Sequence, residues 1–192
     1  MSFLKSNKVL YHLDRMNQWN ETGDTTAPVN VKIDLTNVCN HNCPGCTGFG
    51  MIPISEVYGD RLKFDAIYKT LGELKEAGVK GVNFTGGGEP TLYKQFEQVI
   101  RRCDELGLEV GLITNGGAFQ RLPMEEILSM FLWVRISLDG FDDASHKKTH
   151  GSKAKFELTV KNMRELARIK KEQKLNVTLG AAYLTNQFTG LD

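Results

Sequence analysis

Apolar positions along this chain switch period several times. Val29, Val31, Ile33 and Leu35 alternate with Asn30, Lys32 and Asp34, the two-residue period of a strand with one apolar and one polar face. Further strands are predicted near 82–85, 110–114, 133–138 and 177–184. Between them, apolar residues recur at helical spacing over 64–77, 93–106, 123–130 and 156–171, and Gly78 and Gly107 stand where helix C-terminal caps are expected. Leu4, Val9, Leu10, Leu13 and Met16 predict an amphipathic helix before the first strand. Strands that alternate with helices imply a parallel sheet, since parallel neighbours need a long crossover between them.

The polar strand positions refine that reading. Parallel strands buried on both faces read as nearly continuous apolar runs. Here Val134, Ile136 and Leu138 instead alternate with Arg135, Ser137 and Asp139. The helices must cover the apolar face, so the polar face turns to the concave side of a curved sheet. The expected fold is α/β, a partial (βα)6-type open barrel with about five parallel βα strands and a polar interior suited to a ligand. An antiparallel sheet with one solvated face would show the same alternation, but helices of ten or more residues between strands argue against it. Lys32, Asp34, Asn83 and Thr85 would line the interior, where they either meet a ligand or satisfy one another.

A chain of 192 residues suits one domain with a sizeable core, here 29–192, preceded by a helical segment over 1–28. With 41% hydrophobic and 24% charged residues, neither a disordered nor a membrane protein is expected. A net charge of +1 gives no broad field for nucleic acid, which is not an expected partner, although Lys147, Lys148, Lys153 and Lys155 form a local basic patch. The first residues hold neither a secretory apolar region nor a spanning segment, so a cytoplasmic location is expected.

Three of the four cysteines, Cys39, Cys43 and Cys46, fall within eight residues directly after the first strand. Such clustering suits metal ligation in a reducing compartment better than a disulfide framework. Thiolates bind iron–sulfur clusters, and Pro44 and Gly45 allow the tight path such a loop needs. Three thiolates on a cubane leave one iron open to a chelating ligand. The alternative is a non-catalytic zinc- or iron–sulfur-binding module in which the cysteines only staple the loop, His41 or a distant histidine completing the set if the metal is zinc. Cys103 lies alone in a predicted helix and reads as a small buried hydrophobe.

C-x3-C-x2-C after the first strand, with Thr85-Gly86-Gly87-Gly88-Glu89-Pro90 closing the second, resembles the radical S-adenosylmethionine (radical SAM) superfamily. The likeness continues through Ile113-Thr114-Asn115-Gly116, Arg135-Ile136-Ser137-Leu138-Asp139-Gly140 and 179–186, and is strongest to the branch of cofactor-biosynthesis and peptide-modifying enzymes. It implies a [4Fe-4S] cluster on Cys39, Cys43 and Cys46, with S-adenosylmethionine as the second cofactor. Reductive cleavage of that cofactor would give a 5′-deoxyadenosyl radical that abstracts hydrogen from an unidentified substrate, with flavodoxin or ferredoxin as reductant. No catalytic acid or base is assigned.

By the same resemblance, the backbone of Gly86, Gly87 and Gly88 takes the methionine amino group, while Glu89 and Pro90 shape the turn. Glycines also permit close backbone approach on their own account. Ser137 is the expected ribose contact. Arg135 pairs with the methionine carboxylate or neutralises Asp34 or Asp139. Thr114 and Asn115 are further candidates, although Asn115-Gly116-Gly117 also fits plain turn chemistry. Gly180 and Ala182 leave room for adenine, with the backbone near Leu184 as its contact, or they are simply small residues in a packed barrel. Two departures stand out. Gly45 replaces the family's usual aromatic before the last cysteine, and five strands stand where the family has six βα units. The core is therefore expected to be C-terminally incomplete, with an open edge that favours self-association and weak turnover. No further cysteine cluster of the SPASM kind is present.

Overall fold

The structure is a computed structural model that describes residues 12–23, 27–46 and 61–184. Its centre is a parallel sheet of five strands in the order of the chain: β1 (Asn30–Asp34), β2 (Gly81–Thr85), β3 (Glu109–Thr114), β4 (Phe131–Ser137) and β5 (Thr178–Ala182). Each strand adds beside the last, and the sheet is open rather than closed on itself, as the alternating pattern predicted.

Helices α1 (Leu13–Thr22), α2 (Phe64–Glu76), α3 (Phe96–Glu105), α4 (Met124–Ile127), α5 (Asp143–His150) and α6 (Phe156–Glu172) complete the described framework. Ile67 and Leu71 of α2, and Phe96, Val99, Ile100 and Cys103 of α3, sit at helical spacing and bury against the sheet. They meet Val82, Phe84, Leu112, Val134 and Ile136 in one continuous core. Phe96 bridges the layers, edge-on to Phe84 at 6.1 Å between centroids and stacked with Phe131 at 6.4 Å. Gly78 (φ 87°) and Gly107 (φ 61°) follow α2 and α3 in the left-handed region, so both predicted stops hold. Cys103 is wholly buried, as a small hydrophobe would be.

Several boundaries differ from expectation. Helix α3 begins at Phe96 rather than 93, because Pro90–Leu92 form a separate 3-10 turn. The stretch 123–130 divides into α4 and a 3-10 turn over Leu128–Met130. Helix α5 was not anticipated; it is polar, and its start is a capping box in which Asp142 accepts from the Ser145 N–H at 2.7 Å. Helix α1 buries none of its residues, and Leu13, Met16 and Trp19 remain exposed. It is fixed instead by Arg15, whose guanidinium donates to the carbonyls of Ala27 and Gly78. Leu4, Val9 and Leu10 lie outside the described residues. No helix among the described residues is long and apolar enough to cross a membrane.

The concave face carries Lys32, Asp34, Asn83, Thr85, Arg135 and Ser137, as the alternation predicted, whereas Asp139 leaves the alternation and apolar Ile113 and Trp133 share the face. Gly111 pairs in register with Trp133, and a Cβ at Gly111 would lie 2.3 Å from the Trp133 ring, so the indole covers β3 where a side chain would otherwise stand. The lower polar residues partly satisfy one another: Asn83 donates to Asn30 at 2.7 Å, and Lys32 lies 3.7 Å from Asp34.

Candidate functional site

The loop that leaves β1 crosses the C-terminal ends of the strands, where parallel α/β sheets place their binding loops. It carries Cys39, Cys43 and Cys46, each partly buried, with a turn closed by the Cys46 N–H on the Cys43 carbonyl at 3.2 Å. The Cys39 sulfur accepts from the His41 N–H at 3.4 Å, and the Asn115 amide approaches it at 3.7 Å. Burial pushes the Cys43 thiol up to about 12, with the charges of Cys39 and Cys46 adding to the shift. Cys39 is raised chiefly by burial as well. At neutral pH these groups are therefore thiols that a bound cation would convert to thiolates. Three partly buried sulfurs on one short loop are a donor set that fits an iron–sulfur cluster.

The glycine segment supports this loop from below. A Cβ on Gly88 would stand 2.3 Å from the Val38 carbonyl oxygen and 2.6 Å from that of Thr36. Gly86 has φ 133°, and a Cβ there would meet the Asp34 side chain at 2.3 Å. At Gly87 the obstacle is the Asn37 amide oxygen, at 2.6 Å, which is the far end of a side chain. Gly86 and Gly88 are thus required by the protein's own packing, a reason distinct from ligand approach.

Glu89 binds the loops together. Its carboxylate is 2% exposed; one oxygen accepts from the hydroxyls of Thr91 and Thr114, both at 2.6 Å, and from the Thr91 N–H at 3.2 Å. The other accepts from the Asn115 N–H at 2.8 Å, and the Glu89 N–H donates to the Val38 carbonyl at 2.8 Å. Burial raises the carboxyl pKa above its ordinary value, while the hydrogen bonds from Thr114, Thr91 and Asn115 oppose that rise. Thr114 directs its hydroxyl to Glu89 and accepts from the Gly116 N–H at 3.0 Å, so its polar group serves the framework. Asn115 reaches the cysteine loop, donating to the Asn40 side chain at 2.7 Å, while its own oxygen accepts from the Gly117 N–H. The turn reading of Asn115 thus holds, and its amide also ties that turn to the cysteine loop.

On β4, Arg135 and Ser137 share the concave face, Arg135 exposed and Ser137 partly buried. Among the described residues Asp34 pairs with Lys32 and Asp139 with His150, and neither acid is within ion-pair distance of Arg135. Asp139 leaves the strand alternation with φ 40° and turns to α5. Its other oxygen accepts from the Leu184 N–H at 2.6 Å, which ties the end of β5 to the turn after β4. Gly180 has open space where a Cβ would stand.

The sequence reading weighed His41 and a distant histidine only as a fourth zinc ligand and missed the cluster the histidines form. His41, His146 and His150 are buried, with ring centroids 4.5 to 5.9 Å apart, and they wedge α5 against the cysteine loop. His146 is held by its Nδ1 on the Leu138 carbonyl at 2.6 Å. Burial, reinforced by His150 and His146, lowers His41 to about 4, so it is neutral. The Asn42 N–H bonds the His150 carbonyl at 3.3 Å, and Gly151 (φ 84°) has no room for a Cβ beside Asn42. The available signal was the Asp142/Ser145 cap followed by histidines four residues apart on one helix face.

Known proteins place this arrangement. A PqqA peptide cyclase of Bradyrhizobium diazoefficiens is 29% identical over 156 residues, covering 80% of this chain and 39% of the relative. A probable GTP 3′,8-cyclase of Pyrococcus abyssi is 30% identical over 151 residues, covering 78% of this chain and 47% of the relative. The chain thus spans less than half the length of these relatives. Streptococcus suis SuiB bound to precursor peptide SuiA superposes with a TM-score of 0.68 at 18% identity, over 97% of this chain and 40% of that one. BtrN in complex with AdoMet and 2-DOIA gives 0.54 at 20% identity, over 80% of this chain and 56% of that one. These structures share the open parallel sheet. The profile of the Radical SAM superfamily matches residues 33–186, from β1 through the cysteine loop and past β5, and the chain belongs to that superfamily.

Proposed function

We propose that the chain is the catalytic core of a radical SAM enzyme, with Cys39, Cys43 and Cys46 holding a [4Fe-4S] cluster and the concave face holding S-adenosylmethionine beside it. The observation that carries this is the convergence of the cysteine loop, the Gly86–Gly88 segment and Asn115 at one end of an open sheet whose concave face is polar. A reduced cluster bound there supplies the electron for reductive cleavage of S-adenosylmethionine, the chemistry that precedes hydrogen abstraction from the substrate.

The protein's own part is binding and orientation. Gly87 offers its backbone to the methionine amino group, with Gly86 and Gly88 fixing the path of the chain around it. Arg135, whose guanidinium has no acidic partner among the described residues, receives the methionine carboxylate. Ser137 hydrogen-bonds the ribose, and the backbone near Leu184 with the open space at Gly180 admits the adenine. Glu89 and Thr114 set the loops without touching the cofactor. Trp133 closes the lower end of the concave face and excludes water from it. The electron comes from a small reductant of the flavodoxin or ferredoxin kind, in a reducing compartment that keeps the three cysteines free.

Anaerobic reconstitution followed by reduction and electron paramagnetic resonance tests the reading. The expected result is a cubane signal that changes on adding S-adenosylmethionine; a cluster indifferent to it has no open iron and overturns the proposal. The glycines give a finer test. Gly87→Val displaces only the Asn37 amide, so the cluster is retained and S-adenosylmethionine affinity falls at least tenfold by titration. Gly88→Ala meets backbone of the cysteine loop itself and lowers cluster content too. Equal iron content in both variants with unchanged affinity would remove the glycine segment from the site.

A further inference from the structure

Cys43 has a second set of neighbours that the cluster does not use. One ligand atom each from His41, Cys43 and His150 lies within 4.8 Å of the others. The Cys43 sulfur is 3.5 Å from His150 Nδ1. A tetrahedral zinc ion with Zn–S of about 2.3 Å and Zn–N of about 2.0 Å holds its sulfur and nitrogen ligands about 3.5 Å apart. His41 and His150 are 3% and 6% exposed, and His41 Nδ1 has no hydrogen-bond partner among the described residues.

The neighbouring carboxylate completes the pattern. His150 Nε2 lies 3.2 Å from Asp139 Oδ2, close enough for pairing although bent from a straight hydrogen bond. Asp139 is itself held by the Leu184 N–H, and the Thr149 hydroxyl donates to its carbonyl at 2.7 Å. A proton kept on Nε2 by Asp139 leaves Nδ1 with its lone pair toward Cys43. Histidines that ligate metals are commonly backed by a carboxylate in this way, which fixes the tautomer and ring orientation. Two imidazoles and one thiolate form a donor set for zinc, with water free to take a fourth position.

We infer that the cluster-free chain binds one zinc ion through His41, Cys43 and His150, backed by Asp139, at a site that excludes the iron–sulfur cluster because both need the Cys43 sulfur. Zinc there pins the cysteine loop to α5, and it must leave before a cluster can be assembled. The inference rests on the proposed function only for that exclusion; the zinc site itself stands without it.

The probe is Co(II) added to the metal-free, reduced chain under anaerobic conditions. The expected spectrum has d–d bands of tetrahedral intensity and a charge-transfer band from a single thiolate. The Cys39→Ala/Cys46→Ala double variant, which cannot hold a cluster, keeps this binding. His41→Ala and His150→Ala each weaken it at least tenfold, and Asp139→Asn weakens it about 10- to 100-fold. Since a histidine variant can also disturb packing, X-ray absorption on the zinc-loaded wild-type chain gives an independent count, expected as one sulfur with imidazole nitrogens. No cobalt binding, three sulfurs around zinc, or binding lost with Cys39 and Cys46 but kept without His150 would overturn the inference. Iron reconstitution of the same zinc-free wild-type chain is scored separately, so failure to form a cluster counts against the proposed function and leaves the zinc result standing.

Discussion

Replacing Cys39, Cys43 or Cys46 with Ala is expected to abolish iron–sulfur retention, whereas Cys103→Ala leaves iron content unchanged. The three loop cysteines are partly exposed on one short segment, and each is the sole source of a thiolate at its corner. Two thiolates cannot hold a cubane. Cys103 lies wholly buried on α3, in the core between helix and sheet, and burial pushes its thiol up to about 12. Truncating it to Ala removes one sulfur from a packed interior, so a lowered melting temperature is expected without any change in iron. Iron and sulfide per chain after anaerobic reconstitution, measured beside thermal unfolding, separate the two effects. Equal iron loss at Cys103 would contradict the ligand assignment. The Cys43 variant alone should also lose the cobalt site, which distinguishes it from Cys39 and Cys46.

Much of the framework was legible because its signals are local. Alternation in β1 and β4 marked both the strands and the polar face, since a two-residue period tells which side each residue takes. Gly78 and Gly107 marked helix ends because a left-handed cap favours glycine whatever lies nearby. The motif segments were also visible, but their physical roles were not. Gly86 and Gly88 lack side chains because Asp34 and the backbone of 36–38 already fill that space, contacts made across some fifty residues of chain. The hydroxyl of Thr114 bonds Glu89, a contact between segments 25 residues apart that no local pattern announces. The histidine wedge was hidden for the same reason: His41 and His150 meet only once β4 and α5 are folded, and α5 itself has almost no apolar stripe to announce it. Trp133 was counted as the start of a strand, whereas its fit over Gly111 depends on the register between β3 and β4.

Glu89→Ala is expected to destabilise the fold by about 3–5 kcal/mol and to loosen the cysteine loop without removing an iron ligand. In the native chain one carboxylate satisfies two hydroxyls and two backbone N–H groups, on segments that follow β2 and β3. Ala leaves the N–H groups of Thr91 and Asn115 buried without an acceptor, and a buried donor without a partner costs about 1–3 kcal/mol. The hydroxyls can rotate to other acceptors; the backbone donors cannot. Asn115 then loses the bond that fixes its backbone, and its side chain is the group that reaches Asn40 and Cys39. The damage therefore passes from a buried carboxylate to the loop that carries the sulfurs. Glu89→Gln separates charge from shape: its oxygen can keep the Thr91 and Thr114 bonds, but its NH2 faces the Asn115 N–H, donor against donor. An intermediate loss of stability is expected for Gln, with amide-exchange protection falling first at Asn115. Denaturant unfolding of the metal-free chain measures the fold, and cluster content after reconstitution measures the loop. If Glu89→Ala unfolds within 1 kcal/mol of wild type on the scale set by such buried bonds, the carboxylate is not the bracket described here.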